Sequence, residues 1–264
     1  MDLQISGRRA VVTGSTAGIG FATAQRLLQE GAHVTICGHH AERLRTAEEA
    51  LVAQGGADKV SAVLADLGTA EGCAALAEAN AQADILVNNL GIYEPGEFDD
   101  TEDAVWQRFF DVNVMSGVRL SRQALSAMKS RGFGRIVFIS SESALNPPTE
   151  MLHYGMTKTA QLSVSRGLAE LTTGTGVTVN AVLPGPTRTD GSVAFLNRLA
   201  NEQQITVAEV ERRYFADDRP SSLLRRFIEP AEVAATVAFL CSPFAAATNG
   251  AAVRVDGGVV RSIA

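Results

Sequence analysis

Tyr154 and Lys158 stand four residues apart in the run Tyr154-Gly155-Met156-Thr157-Lys158, a spacing that puts both on one face of a helix. A free phenol ionises near pH ~10 and is a poor base at neutrality. A neighbouring ammonium favours the phenolate, so the pair could exchange a proton with a substrate oxygen. The same spacing also occurs on solvated helix faces that do nothing. The pair means chemistry only if the rest of the chain brings it a cofactor and a hydrogen-bond donor.

A second constellation can supply the cofactor. Thr13-Gly14-Ser15-Thr16-Ala17-Gly18-Ile19-Gly20 follows a short apolar strand over residues 8–13 and opens a helix over residues 19–30. Small residues there let a diphosphate approach backbone amides and the helix N-terminus. The spacing is not the common G-x-G-x-x-G, and a tight turn can need glycine for its backbone alone. Three glycines between strand and helix favour binding.

The elements around these residues alternate. Strands are predicted at 33–37, 60–64, 85–87, 135–140, 177–182 and 251–255. Helices fall at 41–54, 69–79, 102–130, from Tyr154 to about 171, and 231–240. Alternation of this kind predicts an α/β fold, a single domain with a doubly wound parallel sheet and helices on both faces. No repeat, linker or low-complexity tract divides residues 1–264. The stretch 186–229 is longer than a simple connection. It holds two short helical patterns, at 192–201 and 207–215, and seven arginines (188, 198, 212, 213, 219, 225 and 226). It reads as a substrate-side lid or as a solvated helical pair.

Bulk properties exclude several functions. A net charge of −6 provides no basic field for nucleic acid or anionic lipid. No apolar run approaches the roughly 18 residues that cross a bilayer, and the N-terminus lacks a signal-peptide core. A cytoplasmic enzyme is expected. Cys37, Cys73 and Cys241 have no metal or CxxC spacing, and the four histidines form no HxxxH pattern, so no metal site is expected.

Taken together, the glycine loop, Asp66, Asn88-Asn89-Leu90-Gly91, Asn113, Ser141, Tyr154-xxx-Lys158 and Pro184-Gly185 occur in the order found in the short-chain dehydrogenase/reductase family, which the whole chain resembles. The resemblance implies a single-domain Rossmann-type doubly wound parallel sheet of about seven strands, hydride transfer between a nicotinamide and an alcohol or carbonyl carbon, and a homotetramer (or homodimer) built partly on the long helices after the fourth and fifth strands. It assigns Tyr154 as acid/base and Lys158 as the group that lowers its pKa and holds the nicotinamide ribose. Ser141 would donate to the reacting oxygen, with Ser140 and Ser143 as rivals. Asn113 would hold a water that links Lys158 to solvent. On the cofactor side it implies Gly14, Ser15, Thr16, Gly18, Ile19 and Gly20 at the diphosphate. Asp66, with Leu67 beside it, would lie at the adenine, although Asp66 could equally cap a helix. Asn88 would support the cofactor-side backbone near Gly91, and Pro184, Gly185, Thr187 and Thr189 would border the nicotinamide amide. Two positions depart from the pattern: Leu90 replaces the usual alanine, and His153 stands before Tyr154, where a surface or capping role is expected.

The second strand ends Cys37-Gly38-His39-His40, with no carboxylate to repel a 2′-phosphate. That favours NADP over NAD, with His39 where the family often has an arginine; His39, His40 and Arg43 could also be a solvated helix start. The substrate pocket is expected between residues 93–98, 145–152 and the excursion, with Glu142, Glu150 and Arg188 near its mouth. Within the family, 3-oxoacyl-carrier-protein reductases are similar, and Lys129 and Arg131 would suit an acidic carrier. The turn Thr173-Gly174-Thr175-Gly176 lacks the arginine such enzymes tend to have. The main expectation is an NAD(P)-dependent oxidoreductase of a small alcohol or carbonyl compound. A catalytically silent nicotinamide-binding sensor or scaffold is the rival, and a nucleotide-sugar epimerase a lesser one.

Overall fold

The computed structural model describes residues 2–263. Seven parallel strands form one sheet in the order β3-β2-β1-β4-β5-β6-β7. They are β1 (Arg9–Val12), β2 (His33–Gly38), β3 (Val60–Leu64), β4 (Ile85–Asn88), β5 (Gly134–Ile139), β6 (Val177–Pro184) and β7 (Ala252–Val255). Every residue of β4, β5 and β6 is buried, as expected when helices cover both faces of a parallel sheet.

On one face, α1 (Gly18–Gln29), α2 (Ala41–Gly55) and α9 (Pro230–Cys241) place Leu27, Leu28, Leu44, Leu51, Val233 and Val237 in a continuous core. On the other, α3 (Ala70–Ala79), α5 (Ser116–Arg131) and α6 (Leu152–Glu170) contribute Cys73, Leu76, Leu120, Met128 and Ala169. The predicted helix over 102–130 is interrupted. It comprises α4 (Asp103–Phe110), a π turn at Asp111–Met115, and α5. A π turn widens the helix and takes carbonyls out of the regular ladder, often where a site needs them. Asn113 sits in that turn.

The strand order reverses between β1 and β4, which opens a crevice at the carboxyl ends of those strands. Gly14 leaves β1 there, and Asn89, Leu90 and Gly91 leave β4. The ends of β5 and β6 deliver Ser141 and Gly185 to the same edge of the sheet.

The excursion after β6 has a small core of its own. Its helices α7 (Asp190–Gln203) and α8 (Val207–Arg213) and the π turn Tyr214–Asp218 enclose Leu196, Ala200, Val210, Phe215 and Phe227. A solvated helical pair would not bury these residues. No helix among the described residues is long and apolar enough to cross a membrane.

Candidate active site

The glycine loop fits a diphosphate. Gly14 and Gly18 take φ of +58° and +55°, where L side chains are strained, and a Cβ on Gly20 would overlap Gly14 O. The N-terminus of α1 has no side-chain cap and no acidic residue in its first turn, so its leading amides and positive dipole end remain available to an anion. Ile19 is half-buried and packs against the core beneath. Ser15 braces rather than presents: its hydroxyl donates to Val12 O at 2.6 Å and accepts from Cys37 N at 3.0 Å. Thr16 lies over Gly38, where a Cβ would come within 2.7 Å of its methyl.

The loop is held by Asn89. Its Nδ2 donates to Thr13 O at 2.9 Å and Gly14 O at 3.0 Å, and its backbone N–H donates to Thr13 Oγ1 at 2.8 Å. The sequence reading gave this support to Asn88. Asn88 is still within β4 and points the other way, donating to Ser121 Oγ of α5 at 3.1 Å. Asp66 does not cap α3; Thr69 does, accepting from Gly72 N, while Asp66 accepts from Gly68 N at 2.9 Å and stays exposed. Leu67 is buried in the core beneath, so only its backbone can face a nucleotide. His39 is exposed and its ring lies 4.1 Å from that of His40.

At the other end of the crevice, a Cβ on Gly91 would lie 3.2 Å from Lys158 Nζ, so the backbone leaving β4 runs directly against the lysine. Gly185 donates its N–H to Val255 O at 3.0 Å, and Thr187 Oγ1 donates back to Gly185 O at 2.9 Å. Thr189 caps α7 and faces the glycine loop: a Cβ on Gly18 would be 3.2 Å from Thr189 Cγ2.

Helix α6 carries Tyr154 and Lys158 into this region, with the ammonium 5.5 Å from the phenol ring centroid. Burial pushes the Tyr154 phenol up to about 12; contact with the Ser141 hydroxyl pulls the other way, and the Glu142 charge adds to the rise. Of the three serines, Ser141 is the one whose hydroxyl bears on the tyrosine's proton. Ser140 Oγ donates to Lys158 O at 2.8 Å, and Ser143 donates its N–H to Ser141 Oγ at 3.1 Å.

The expected lowering of the phenol by Lys158 is not what this arrangement produces. Lys158 is itself buried, which drops its ammonium from 10.5 to about 7. Nζ donates to Ile139 O at 3.0 Å and to Gln161 Oε1 at 3.3 Å. Gln161 Nε2 in turn donates to Asn113 O at 2.6 Å, and its side chain is thereby the direct link between the lysine and the π turn. The Asn113 side chain holds Ile92 through both backbone groups and reaches Thr157 Oγ1 at 3.0 Å. Gln161 escaped the sequence reading, although its spacing of three from Lys158 puts it on the same helical face.

His153 is buried, not at the surface. Its Nε2 lies 3.1 Å from Glu94 O, and its ring meets those of Phe109 and Trp106. It thus anchors the loop that carries Tyr93, whose ring stands edge-on to Tyr154 with centroids 6.5 Å apart. Arg188 is also not free at the mouth, because Glu211 and Glu229 hold its guanidinium. The arginine that reaches the floor of the site is Arg219, 3.6 Å from Glu142. Lys129 and Arg131 are engaged locally, by Leu171 O and by Ala83 O with Asp84.

A family model described as enoyl-(acyl carrier protein) reductase matches residues 14–260. An uncharacterized oxidoreductase, YvaG of Bacillus subtilis, is 50% identical over 263 residues, covering 100% of both chains. Dehydrogenase/reductase SDR family member 4 of Oryctolagus cuniculus is 32% identical, over 96% of this chain and 94% of its own. The chain belongs to the short-chain dehydrogenase/reductase family. Among solved structures of that fold, the L-sorbose reductase of Gluconobacter frateurii, crystallised with NADPH and L-sorbose, superposes with a TM-score of 0.94 at 32% identity, covering 100% of both chains. A gluconate 5-dehydrogenase homologue from Beutenbergia cavernae, with bound NADP, gives 0.87 at 32% identity over 99% and 100%. As a short-chain dehydrogenase/reductase, this chain is an NAD(P)-dependent oxidoreductase.

Proposed function

We propose that the protein uses NADPH to reduce the carbonyl group of a small substrate, with Tyr154 as proton donor and Ser141 as hydrogen-bond donor to the reacting oxygen. The observation that supports this reading is that Lys158 lies against the backbone leaving β4 at Gly91, on the same helix as Tyr154 and beside the end of β5 that carries Ser141, at the crevice that begins with the glycine loop. When bound, the nicotinamide supplies the hydride that reaches the carbonyl carbon. A phenol pushed up to about 12 stays protonated at neutral pH, so Tyr154 is poised to give its proton to the oxygen that gains charge. Ser141 holds that oxygen in line. Lys158 would bind the nicotinamide ribose from its place beside Gly91.

NADP is favoured over NAD because β2 ends at Gly38 without a carboxylate and exposes His39, His40 and Arg43 beside the crevice. The two NADP(H)-bound neighbours support the same preference. The carrier-protein reading gains nothing from Lys129 and Arg131, whose donors are already engaged. By its family the chain is also proposed to assemble as a homotetramer (or homodimer) in the cytoplasm, which sedimentation and fractionation would test.

The functional test is NADPH oxidation against a panel of ketones and aldehydes, repeated with Tyr154→Phe, which should lose about 100- to 10,000-fold in kcat. Equal activity of the two proteins would refute the assigned mechanism. Nucleotide binding without turnover of any carbonyl would instead support a silent sensor.

A further inference from the structure

Glu142 follows Ser141 immediately and lies in the short turn that closes β5. It is 5% exposed, a costly place for a carboxylate unless something compensates it. Its ion-pair partner is Arg219, with Nε 3.6 Å from Oε1, while the negative charges of Asp256 and Glu150 also bear on it. Arg219 Nη2 is 3.9 Å from Glu150 Oε1, its guanidinium lies 5.7 Å from the Tyr214 ring centroid, and Nη1 donates to Asp218 O. Both carboxylate separations exceed a direct hydrogen bond, and neither leaves room for an atom between the partners, but one hydroxyl lying beside the pair can come within hydrogen-bond reach of both. Glu142 opens the short turn that Ser141 caps, so this charged wall adjoins the serine assigned to the reacting oxygen.

We propose that this wall selects a neutral polyhydroxylated ketone, or the corresponding polyol in the reverse direction. Hydroxyls on the carbons beside the reacting one would donate to Glu142 and accept from Arg219. The inference rests on the oxidoreductase reading above and adds its substrate class. Other chemistries fit the wall less well. An aliphatic ketone would cover Glu142 and Arg219 without replacing the water they lose, which is unfavourable for charged groups. A 2-oxo acid would bring a second negative charge to Glu142 and Glu150. An amino ketone would set its ammonium on Glu142 and Glu150 but, having no acceptor there, would leave Arg219 without a partner from the substrate. A hydroxyl alone can satisfy both sides at once, being donor and acceptor together.

The test compares four compounds on one carbon skeleton: erythrulose, butan-2-one, 2-oxobutanoate and 1-aminobutan-2-one, each with NADPH. Two charge-assisted hydrogen bonds predict that kcat/KM for erythrulose exceeds that for butan-2-one by about 100-fold or more. Glu142→Gln, which keeps shape, and Arg219→Met should each shrink that ratio by about 10-fold, mainly through KM. Calorimetric titration of the holoenzyme should show threitol binding more tightly than butan-2-ol, and that difference should shrink in both variants. If Glu142→Gln fails to fold, Arg219→Met on the opposite side carries the same comparison. The proposal is overturned if butan-2-one, 2-oxobutanoate or the amino ketone matches erythrulose, or if the ratio survives both substitutions. If none of the four is reduced but another carbonyl of the wider panel is, the polyhydroxylated class alone is overturned; if NADPH fluorescence shows binding and no carbonyl of either set is reduced, the reductase reading fails and the substrate class with it.

Discussion

Lys158 Nζ donates to Gln161 Oε1 at 3.3 Å, and that contact fixes the glutamine amide with its nitrogen on Asn113 O at 2.6 Å. The two bonds leave the amide no freedom to flip, since an ammonium needs an oxygen and a carbonyl needs an N–H. Gln161→Leu keeps the volume and removes the acceptor. The lysine charge, already lowered to about 7 by burial, then becomes harder to hold, and its pKa falls by about one further unit. The alkaline limb of the kcat/KM profile should move to lower pH by that amount, with activity at pH 7 down about 5-fold. A limb that stays in place would reduce Gln161 to packing.

The same lysine should tie stability to pH. Its pKa lies at about 7 in the folded protein against 10.5 unperturbed. Between those values the unfolded chain binds more protons, so stability rises with pH across that window. Lys158→Met removes the titrating group, and melting temperatures compared at pH 7 and pH 9 should lose this contribution. At pH 7 the variant should melt about 2–4 °C higher, equivalent to about 1 kcal/mol, while losing activity. A lower melting temperature at pH 7 would mean that the unpaired Ile139 and Gln161 oxygens cost more than the buried charge.

Asn89, not Asn88, should matter to the nucleotide. Asn89→Ala leaves Thr13 O and Gly14 O without their donor, costs about 1–3 kcal/mol of stability and loosens the loop. NADPH should bind about 10-fold more weakly, as read by its fluorescence. Asn88→Ala should affect binding less, because its donor is directed to Ser121. The opposite ranking would contradict the bracing role of Asn89.

Cofactor preference can be moved at the end of β2. His39→Arg places a fixed positive fork beside Gly38, and NADPH affinity should rise about 10-fold relative to NADH. Separate titrations with the two nucleotides measure the ratio. If wild type binds NADH more tightly, the NADP preference is wrong from the start.

The sheet was legible because parallel strands buried on both faces read as short apolar runs between turns, and the glycine loop because three glycines lay where strand meets helix. Spacing alone put Tyr154 and Lys158 on one face of α6; their grouping with Ser141 came from the family resemblance. The side of β4 from which the loop is braced was not. The strand runs one residue beyond its apolar core, so Asn88 still obeys the alternation of the sheet and Asn89 is the first residue free to turn back. Nor could spacing show that Arg219, among seven arginines of the excursion, would meet Glu142. Six of its fellows find partners nearby in their own segment or in α9, and only the tertiary fold sorts them. His153 was misread for the same reason: the rings that bury it come from Trp106 and Phe109, more than forty residues away along the chain. The π turn around Asn113 has no local sequence signal at all.

Thr189 faces the glycine loop at Gly18 while heading α7. In the proposed mechanism that one segment would border both the diphosphate and the reacting carbonyl. A nucleotide seated beneath it would then bind before the substrate and leave after the product. Product-inhibition patterns should accordingly show a compulsory order, with NADP competitive against NADPH.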